Sequence, residues 1–160
     1  MRFKALLPLA AGAALLLANK SKGSGMSAPR GIRNNNPGNL IITGIEWNGK
    51  VPVEQNTDGV YEQFHAPVWG IRAMYIDITG DIERKGQNTL RTLISAYAPE
   101  HENDTEAYIK HLSQRLGLAP EQPIKPGHYR PLLESIILHE NGVQPYSASL
   151  IDEAIEKAGR

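Results

Sequence analysis

The sequence predicts an α+β domain, in which a small antiparallel sheet comes first and a lobe of helices follows. The first observation is a series of short apolar segments between residues 40 and 64, separated by Asn48-Gly49 and Asp58-Gly59. Such dipeptides favour tight turns between neighbouring strands. The second observation is a change of period from Val68 onward, where apolar residues recur three and four positions apart. That spacing is typical of one helical face.

The predicted sheet has two or three strands. The run from Leu40 to Thr43 is apolar and β-branched. The segments Ile45 to Trp47 and Lys50 to Val53 flank Asn48-Gly49 and are predicted to pair as a hairpin. A further strand follows Asp58-Gly59 and contains Val60, Tyr61 and Phe64.

Helices are predicted after the sheet. The first follows Val68, and its apolar face consists of Ile71, Met74, Tyr75, Ile78 and Ile82. The second has its apolar face at Leu90, Leu93, Ile94 and Tyr97 and ends before Pro99. The third fits Thr105 to Leu116, with Asn103 and Glu106 as a capping box and Gly117 as a stop.

Two more helices complete the predicted lobe. The fourth carries Leu132, Leu133, Ile136 and Ile137 up to Glu140, and Gly142 stops it. The fifth begins near Leu150, and Ser149 and Asp152 are its expected starting residues.

The N-terminal region has a different character from the rest of the chain. Arg2 and Lys4 precede an uncharged stretch from Ala5 to Ala18, so residues 1–19 are predicted to be a membrane anchor or signal segment. An uncleaved anchor is favoured because no small-x-small processing pattern precedes the lysines that follow; Met26 as the true start is the alternative. Residues 20–29 read as a flexible linker, and residues 30–160 as the folded domain.

Composition excludes several function classes. The chain has 17 basic and 17 acidic residues, and every charge in its first 45 residues is basic, which leaves the remainder acidic. An acidic body argues against nucleic-acid binding, which requires neutralised phosphates. No cysteine is present, so a thiol nucleophile and a thiolate metal site are excluded. His101 and His139 lack companion ligands at metal-binding spacing, and neither a metal nor a cofactor is expected.

Glu140 is the leading candidate for a catalytic residue. Its predicted place at the end of an apolar helix directs the carboxyl group toward the protein. A negative charge is disfavoured at a helix C-terminus, and residues that break a local rule are often functional. A carboxyl group kept protonated by apolar surroundings can donate a proton to a glycosidic oxygen. A solvated acid at the helix end is the alternative.

Two motifs resemble known families. The stretch LLESIILHENGVQPYSAS, from Leu132 to Ser149, resembles the catalytic segment of the lytic transglycosylases, although Asn141 stands where that family usually has Ser. On this resemblance Glu140 takes the place of the catalytic acid. RGIRNNNPGN, from Arg30 to Asn39, resembles a segment of phage virion proteins. That likeness extends through DGVYEQFHAPVWGIRAM and YAPEHENDTEAYI to HENGVQPYS.

The resemblance implies a lysozyme-like fold, with a small β-lobe and a helical lobe on either side of a glycan. In the lysozyme superfamily the helix with the acid normally precedes the sheet, whereas Glu140 follows the predicted sheet here. A circular permutation of the lysozyme-like fold is therefore the hypothesis that reconciles the order of the motifs.

The segment from Arg30 to Leu40 supplies candidate substrate-binding residues. The amides of Asn35, Asn36 and Asn39 are suited to the N-acetyl and hydroxyl groups of a sugar polymer. The alternative for the asparagine run is that its side chains satisfy loop backbone, with Pro37-Gly38 as a turn.

Three further residues are candidates for the same site. Glu102 is the rival catalytic acid or an assisting carboxylate, with a helix-capping segment as the alternative. Asp58 is expected to orient water or to stabilise positive charge at the anomeric carbon, unless Asp58-Gly59 is only a turn. Tyr146, just after Glu140, is expected to stack on a sugar ring.

These observations predict a peptidoglycan-degrading enzyme of a phage virion, either a lytic transglycosylase or a muramidase. Its expected partners are peptidoglycan glycan strands, a membrane through residues 1–19, and other virion proteins, with no nucleic acid. It is expected to be membrane-associated and to act in the periplasm or at the cell wall. The alternative is a non-catalytic, membrane-tethered virion structural protein with the same fold.

Overall fold

Apolar residues at helical spacing form most of the protein. The computed structural model describes residues 28–100 and 104–159. Its helices are α1 (Arg30–Arg33), α2 (Pro67–Arg84), α3 (Leu90–Tyr97), α4 (Thr105–Leu116), α5 (Tyr129–Asn141) and α6 (Ala148–Lys157). Short 3₁₀ turns cover Val53–Gln55 and Pro126–His128. The positions of α2 to α6 confirm the predicted helices, whereas α1 was not predicted.

The helix ends differ from the prediction in two places. Asp104 caps α4, because its side chain accepts a hydrogen bond from the Ala107 amide at 3.0 Å; the predicted cap, Asn103, lies outside the described residues. Ser147 caps α6 by accepting from the Leu150 amide at 3.2 Å, so the expected start at Ser149 or Asp152 was wrong. Both predicted glycine stops are confirmed, since Gly117 and Gly142 have φ of 62° and 68°.

Helix α5 lies at the centre of the domain. It contacts α1, α2 and α4, while α2 also packs against α6. The side chains of Leu132, Leu133, Ile136 and Ile137 on α5 are fully buried. A smaller apolar cluster forms beside α2 from Leu40, Phe64 and Ala73, with Trp47 and Trp69 packed against it. The C-terminal end of α5 is held against the N-terminal loop by a hydrogen bond from Asn141 Nδ2 to the Pro37 carbonyl at 2.9 Å.

The predicted sheet was wrong, and the α+β class with it. The described part of the chain is mostly helical, and the segments predicted as strands form only isolated antiparallel bridges, Ile41 with Tyr61 and Lys50 with Phe64. A sheet needs successive main-chain pairs. Here the Thr43 amide donates to the Glu62 side chain instead of a backbone carbonyl. On the other segment, Pro52 follows Val51. Proline has no amide to donate, so it cannot contribute a donor to a strand ladder.

The predicted hairpin was also wrong. A turn does form at Asn48-Gly49, with φ of 71° at Gly49. The Lys50 amide donates to the Trp47 carbonyl at 3.3 Å across this turn, but the pairing goes no further. The Val51 amide instead donates to the Gln63 carbonyl at 2.7 Å, and the His65 amide to the Gly49 carbonyl at 2.9 Å. The described residues contain no sheet, so the prediction of a lysozyme-like α+β fold with a circular permutation was wrong.

The N-terminal predictions lie outside the structure. Residues 1–19, the expected anchor, and residues 20–27 of the expected linker are not among the described residues. Within residues 28–100 and 104–159, no helix is both long enough and apolar enough to cross a membrane.

Candidate functional site

The Glu140 side chain lies in the last turn of α5 and points into the protein. Its Oε2 accepts a hydrogen bond from Asn39 Nδ2 at 3.1 Å, and its Oε1 accepts one from the Tyr108 hydroxyl at 2.9 Å. Among the described residues, each carboxylate oxygen therefore has one donor: Asn39 from the loop that precedes α2, and Tyr108 from α4. The sequence placed Glu140 and Asn39 in one site, and the structure brings these two residues together.

The environment of Glu140 affects its ionisation in two opposite ways. Burial raises the pKa of Glu140 above its ordinary value, and the hydrogen bonds from Asn39 and Tyr108 lower it, with burial the larger effect. The carboxyl group consequently keeps its proton to a higher pH than an exposed glutamate. The same two donors favour the carboxylate once that proton has left. This combination is the one expected of a group that gives up a proton and later takes it back.

Tyr108 is held by a stack of rings that the sequence did not predict. Its ring lies parallel to that of His139, with centroids 3.5 Å apart and an interplanar angle of 9°. His139 Nδ1 is 3.0 Å from His111 Nδ1, which links α5 to α4. Burial lowers the pKa of His139 to about 4, and His111 adds to the effect. His139 is thus neutral near pH 7, and Tyr108 is fixed beside Glu140 by an uncharged ring.

The asparagine run shapes the loop that carries Asn39. Asn36 is fully buried; its Nδ2 donates to the carbonyls of Leu40 and Glu62, both at 2.9 Å, and its Oδ1 accepts from the Leu40 amide at 3.0 Å. Asn35 Nδ2 donates to the Phe64 carbonyl at 2.9 Å. The side-chain contacts of Asn35 and Asn36 are with backbone, so glycan binding by these two residues stays a prediction without support from their contacts.

The loop also depends on unusual backbone conformations. Asn35 and Asn39 have φ of 51° and 50°, in the left-handed region that asparagine tolerates better than most residues. Asn39 Nδ2 is directed at Glu140 from this conformation. Asn141, next to Glu140, donates its Nδ2 to the Pro37 carbonyl at 2.9 Å and so ties the end of α5 to the same loop.

Gly31 allows α1 to approach the end of α5. A Cβ atom at this position would lie 2.4 Å from Asn141 Oδ1 and 2.9 Å from Asn39 Oδ1. Both are side chains of the site, so a residue larger than glycine in α1 would displace them. The contact between α1 and α5 therefore fixes where Asn39 and Glu140 meet.

Asp58 has a structural role that is visible in its contacts. It forms a two-bond ion pair with Arg30, with both N–O distances 2.6 Å, and it accepts from Asn34 Nδ2 at 2.8 Å and from the Tyr61 amide at 2.9 Å. These donors hold the pKa of Asp58 well below its usual range even though burial opposes them. Asp58 is therefore ionised, and its ion pair with Arg30 joins the turn at Asp58-Gly59 to α1. Its expected role in orienting water or stabilising positive charge at the anomeric carbon stays a prediction.

Tyr146 and Glu102 are the remaining predicted site residues. Tyr146 packs against the main core, its hydroxyl is buried without a hydrogen-bond partner among the described residues, and burial raises its pKa to about 12. Glu102 lies outside the described residues. Sequence reasoning missed Tyr108, because its position on the apolar stripe of α4 predicts only a core residue.

The fold and the site together define a protein whose described part is mostly helical, and in which a partly buried glutamate in the last turn of the central helix meets an asparagine loop. Over 132 residues, which are 81% of this chain and 81% of the relative, the sequence is 34% identical to protein P5 of Pseudoalteromonas phage PM2. The chain belongs to the family of this phage protein. No family model matches the sequence. A phage relative is consistent with the predicted phage virion protein.

Proposed function

We propose that the protein is a peptidoglycan-degrading enzyme of a phage particle, with Glu140 as its catalytic acid. The observation that carries the proposal is the environment of this residue: a partly buried carboxyl group with a raised pKa, which accepts a hydrogen bond on each oxygen. Glycan cleavage needs a carboxylic acid that is protonated near neutral pH. The phage relative supports the biological setting.

Glu140 would act twice in the reaction. As an acid, it protonates the oxygen between two sugars, and the bond from that oxygen to the anomeric carbon breaks. As a carboxylate, it then removes a proton from the attacking hydroxyl group. In a lytic transglycosylase that group belongs to the sugar itself and an anhydro ring forms; in a muramidase it is a water molecule and a reducing end forms. No cofactor takes part.

Asn39 and Tyr108 would support the second step. Both donate to the carboxylate form of Glu140, and charge-assisted hydrogen bonds are stronger than neutral ones. The proton transfer to the glycosidic oxygen thereby becomes easier, while burial favours the protonated form of the resting acid. The two positioning residues come from separate elements, so the site exists only in the folded domain.

The test is digestion of purified peptidoglycan by the full chain, followed by mass spectrometry of the soluble fragments. Fragments with anhydro ends would establish a transglycosylase, and fragments with reducing ends a muramidase. Glycan that is left unchanged under conditions where the protein is folded would overturn the proposal.

The Tyr108→Phe variant tests whether the pKa of Glu140 controls the pH dependence of the activity. Loss of the hydroxyl removes a donor to ionised Glu140, so the pKa of Glu140 rises further. Activity depends on protonated Glu140 and falls as pH rises through that pKa; the alkaline limb of the pH profile should therefore shift to higher pH. We also expect the rate to fall by roughly 10-fold, because the carboxylate loses a hydrogen bond.

Tyr129→Phe is the matched control for this variant. The Tyr129 hydroxyl donates to Glu83 Oε1 at 3.2 Å, and its loss should leave the alkaline limb in place. The rate of glycan release is measured from pH 4 to pH 9 for both variants. An alkaline limb that stays unchanged in Tyr108→Phe would show that Tyr108 does not influence the acid.

A second candidate function is a membrane-tethered structural protein of the virion. The contacts of Asp58 favour this function. Its carboxylate is bound by Arg30, Asn34 and backbone amides, so it is not available as a second catalytic carboxylate. Binding of the chain to peptidoglycan without any released fragment would support this function over the enzymatic one.

A further inference from the structure

A second site lies beside α2. It is a cavity of about 260 Å³ between α2 and the segment at residues 45–47. Its lining residues are Ile45, Trp47, Ile76, Asp77, Asp81, Arg84 and Lys85. Two isoleucines provide apolar walls, and the remaining residues bring charges and one indole ring to the same space.

Two buried polar groups at this cavity have no partner within the described structure. Asp77 is 7% exposed and forms no hydrogen bond or ion pair with any described residue. The Trp47 indole N–H is buried and has no acceptor there. Burying either group without a partner is costly. Asp77 and Trp47 both line the cavity, so a ligand there could supply the hydrogen-bond donor that the Asp77 carboxylate lacks.

A guanidinium group completes the arrangement. Arg84 folds back along α2 over Gly80, where an added Cβ atom would lie 2.2 Å from its Nη2. Arg84 has no hydrogen-bond or ion-pair partner among the described residues, whereas Lys85 is paired with Asp81. Glycine at position 80 therefore leaves room for the guanidinium group between Asp77 and the end of the helix.

Neighbouring charges are consistent with a cation at Asp77. Burial and the Asp81 carboxylate raise the pKa of Asp77 to about 7, and Lys85 and Arg84 oppose that change. A bound ammonium group would favour the ionised form of Asp77 and relieve this cost.

We propose that this cavity binds a small zwitterion, a free amino acid or the amino-acid end of a short peptide. Its ammonium group would meet Asp77, and its carboxylate would accept from Arg84, beside the Trp47 ring that lines the cavity. The size fits, since the cavity is smaller than the usual sites for drug-sized ligands. This inference does not depend on the proposed glycan chemistry.

The two tryptophans allow a direct test. The chain has Trp47 and Trp69 only, so a ¹H–¹⁵N spectrum of the full chain shows two indole signals, which Trp47→Phe assigns. Titration with L-alanine should shift the Trp47 signal with a dissociation constant of about 1–10 mM, as expected for so small a ligand. The Trp69 signal serves as the internal control. Ethylamine and propionate, each with one of the two charged groups, should bind at least about 10-fold more weakly.

Substitution tests the role of Asp77. Asp77→Asn removes the charge but no hydrogen bond, so the variant should fold and should bind L-alanine roughly 10–100-fold more weakly. Asp152→Asn is the control; Asp152 is a partly exposed aspartate on α6 that pairs with Arg130 and lies outside the cavity lining, and this variant should bind as the unmodified chain does. The number and dispersion of the amide signals show that both variants are folded.

Three results would overturn the proposal. The first is an unchanged Trp47 signal at 50 mM L-alanine. The second is equal affinity in folded Asp77→Asn. The third is a shift of the Trp47 signal by N-acetylglucosamine but not by L-alanine, which would identify a sugar site instead.

Discussion

Replacing Glu140 with glutamine is expected to lower the rate of glycan cleavage by roughly 10²–10⁴-fold, the usual contribution of an acid–base group. Glutamine cannot donate the proton that the glycosidic oxygen needs. Its side-chain carbonyl can still accept a hydrogen bond from Asn39 or Tyr108. Burial already disfavours the charge at position 140, so the substitution should leave the fold intact.

The measurement compares soluble fragment release by the two proteins at equal concentration, together with their thermal unfolding. Glu134→Gln is a suitable control, because Glu134 lies on the same helix and pairs with Arg130 at 3.3 Å. The control should retain full activity. Glu140→Gln that is folded and cleaves as fast as the unmodified chain would rule out Glu140 as the acid.

Gly70→Ala is expected to reduce the free energy of unfolding by about 2–4 kcal/mol. A Cβ atom at position 70 would lie 1.8 Å from the Asn35 carbonyl oxygen and 3.2 Å from the Asn36 Cα. These are backbone atoms, so α2 and the asparagine loop must move apart, as in other overpacked positions. Since this loop carries Asn39, the variant should also lose glycan-cleaving activity.

Gly44→Ala is the matched control. No atom lies within 4 Å of a Cβ added at position 44, and its effect should stay within about 0.5 kcal/mol. Urea unfolding followed by circular dichroism gives the free energy of unfolding for both variants. Equal values for the two would mean that α2 and Asn35 do not approach each other as closely as the structure has them.

The helices could be predicted because their signals are local. Gly117 and Gly142 end α4 and α5 with a left-handed residue that other amino acids adopt less readily. The apolar residues of each helix repeat within a few positions, so one sequence window contains the whole pattern. Glu140 could be placed at a helix end for the same reason.

Local sequence patterns could not show whether the predicted strands form a sheet. Alternating residues around Asn48-Gly49 show that a turn forms, but they do not identify the segment with which each side pairs. In the structure the Thr43 amide donates to the side chain of Glu62, which lies 19 residues further along the chain. Tyr108 was missed for a similar reason, since only the fold brings its hydroxyl to Glu140.

The hydrogen bond between Asn39 and Glu140 joins residues 101 positions apart, and the bond between Asn141 and Pro37 joins residues 104 positions apart. During synthesis, the loop emerges from the ribosome long before the helix that completes it. A chain truncated before α5, or nicked and separated between α4 and α5, has the loop without the acid. The proposed wall-degrading activity would therefore be switched on only after translation of the domain has finished.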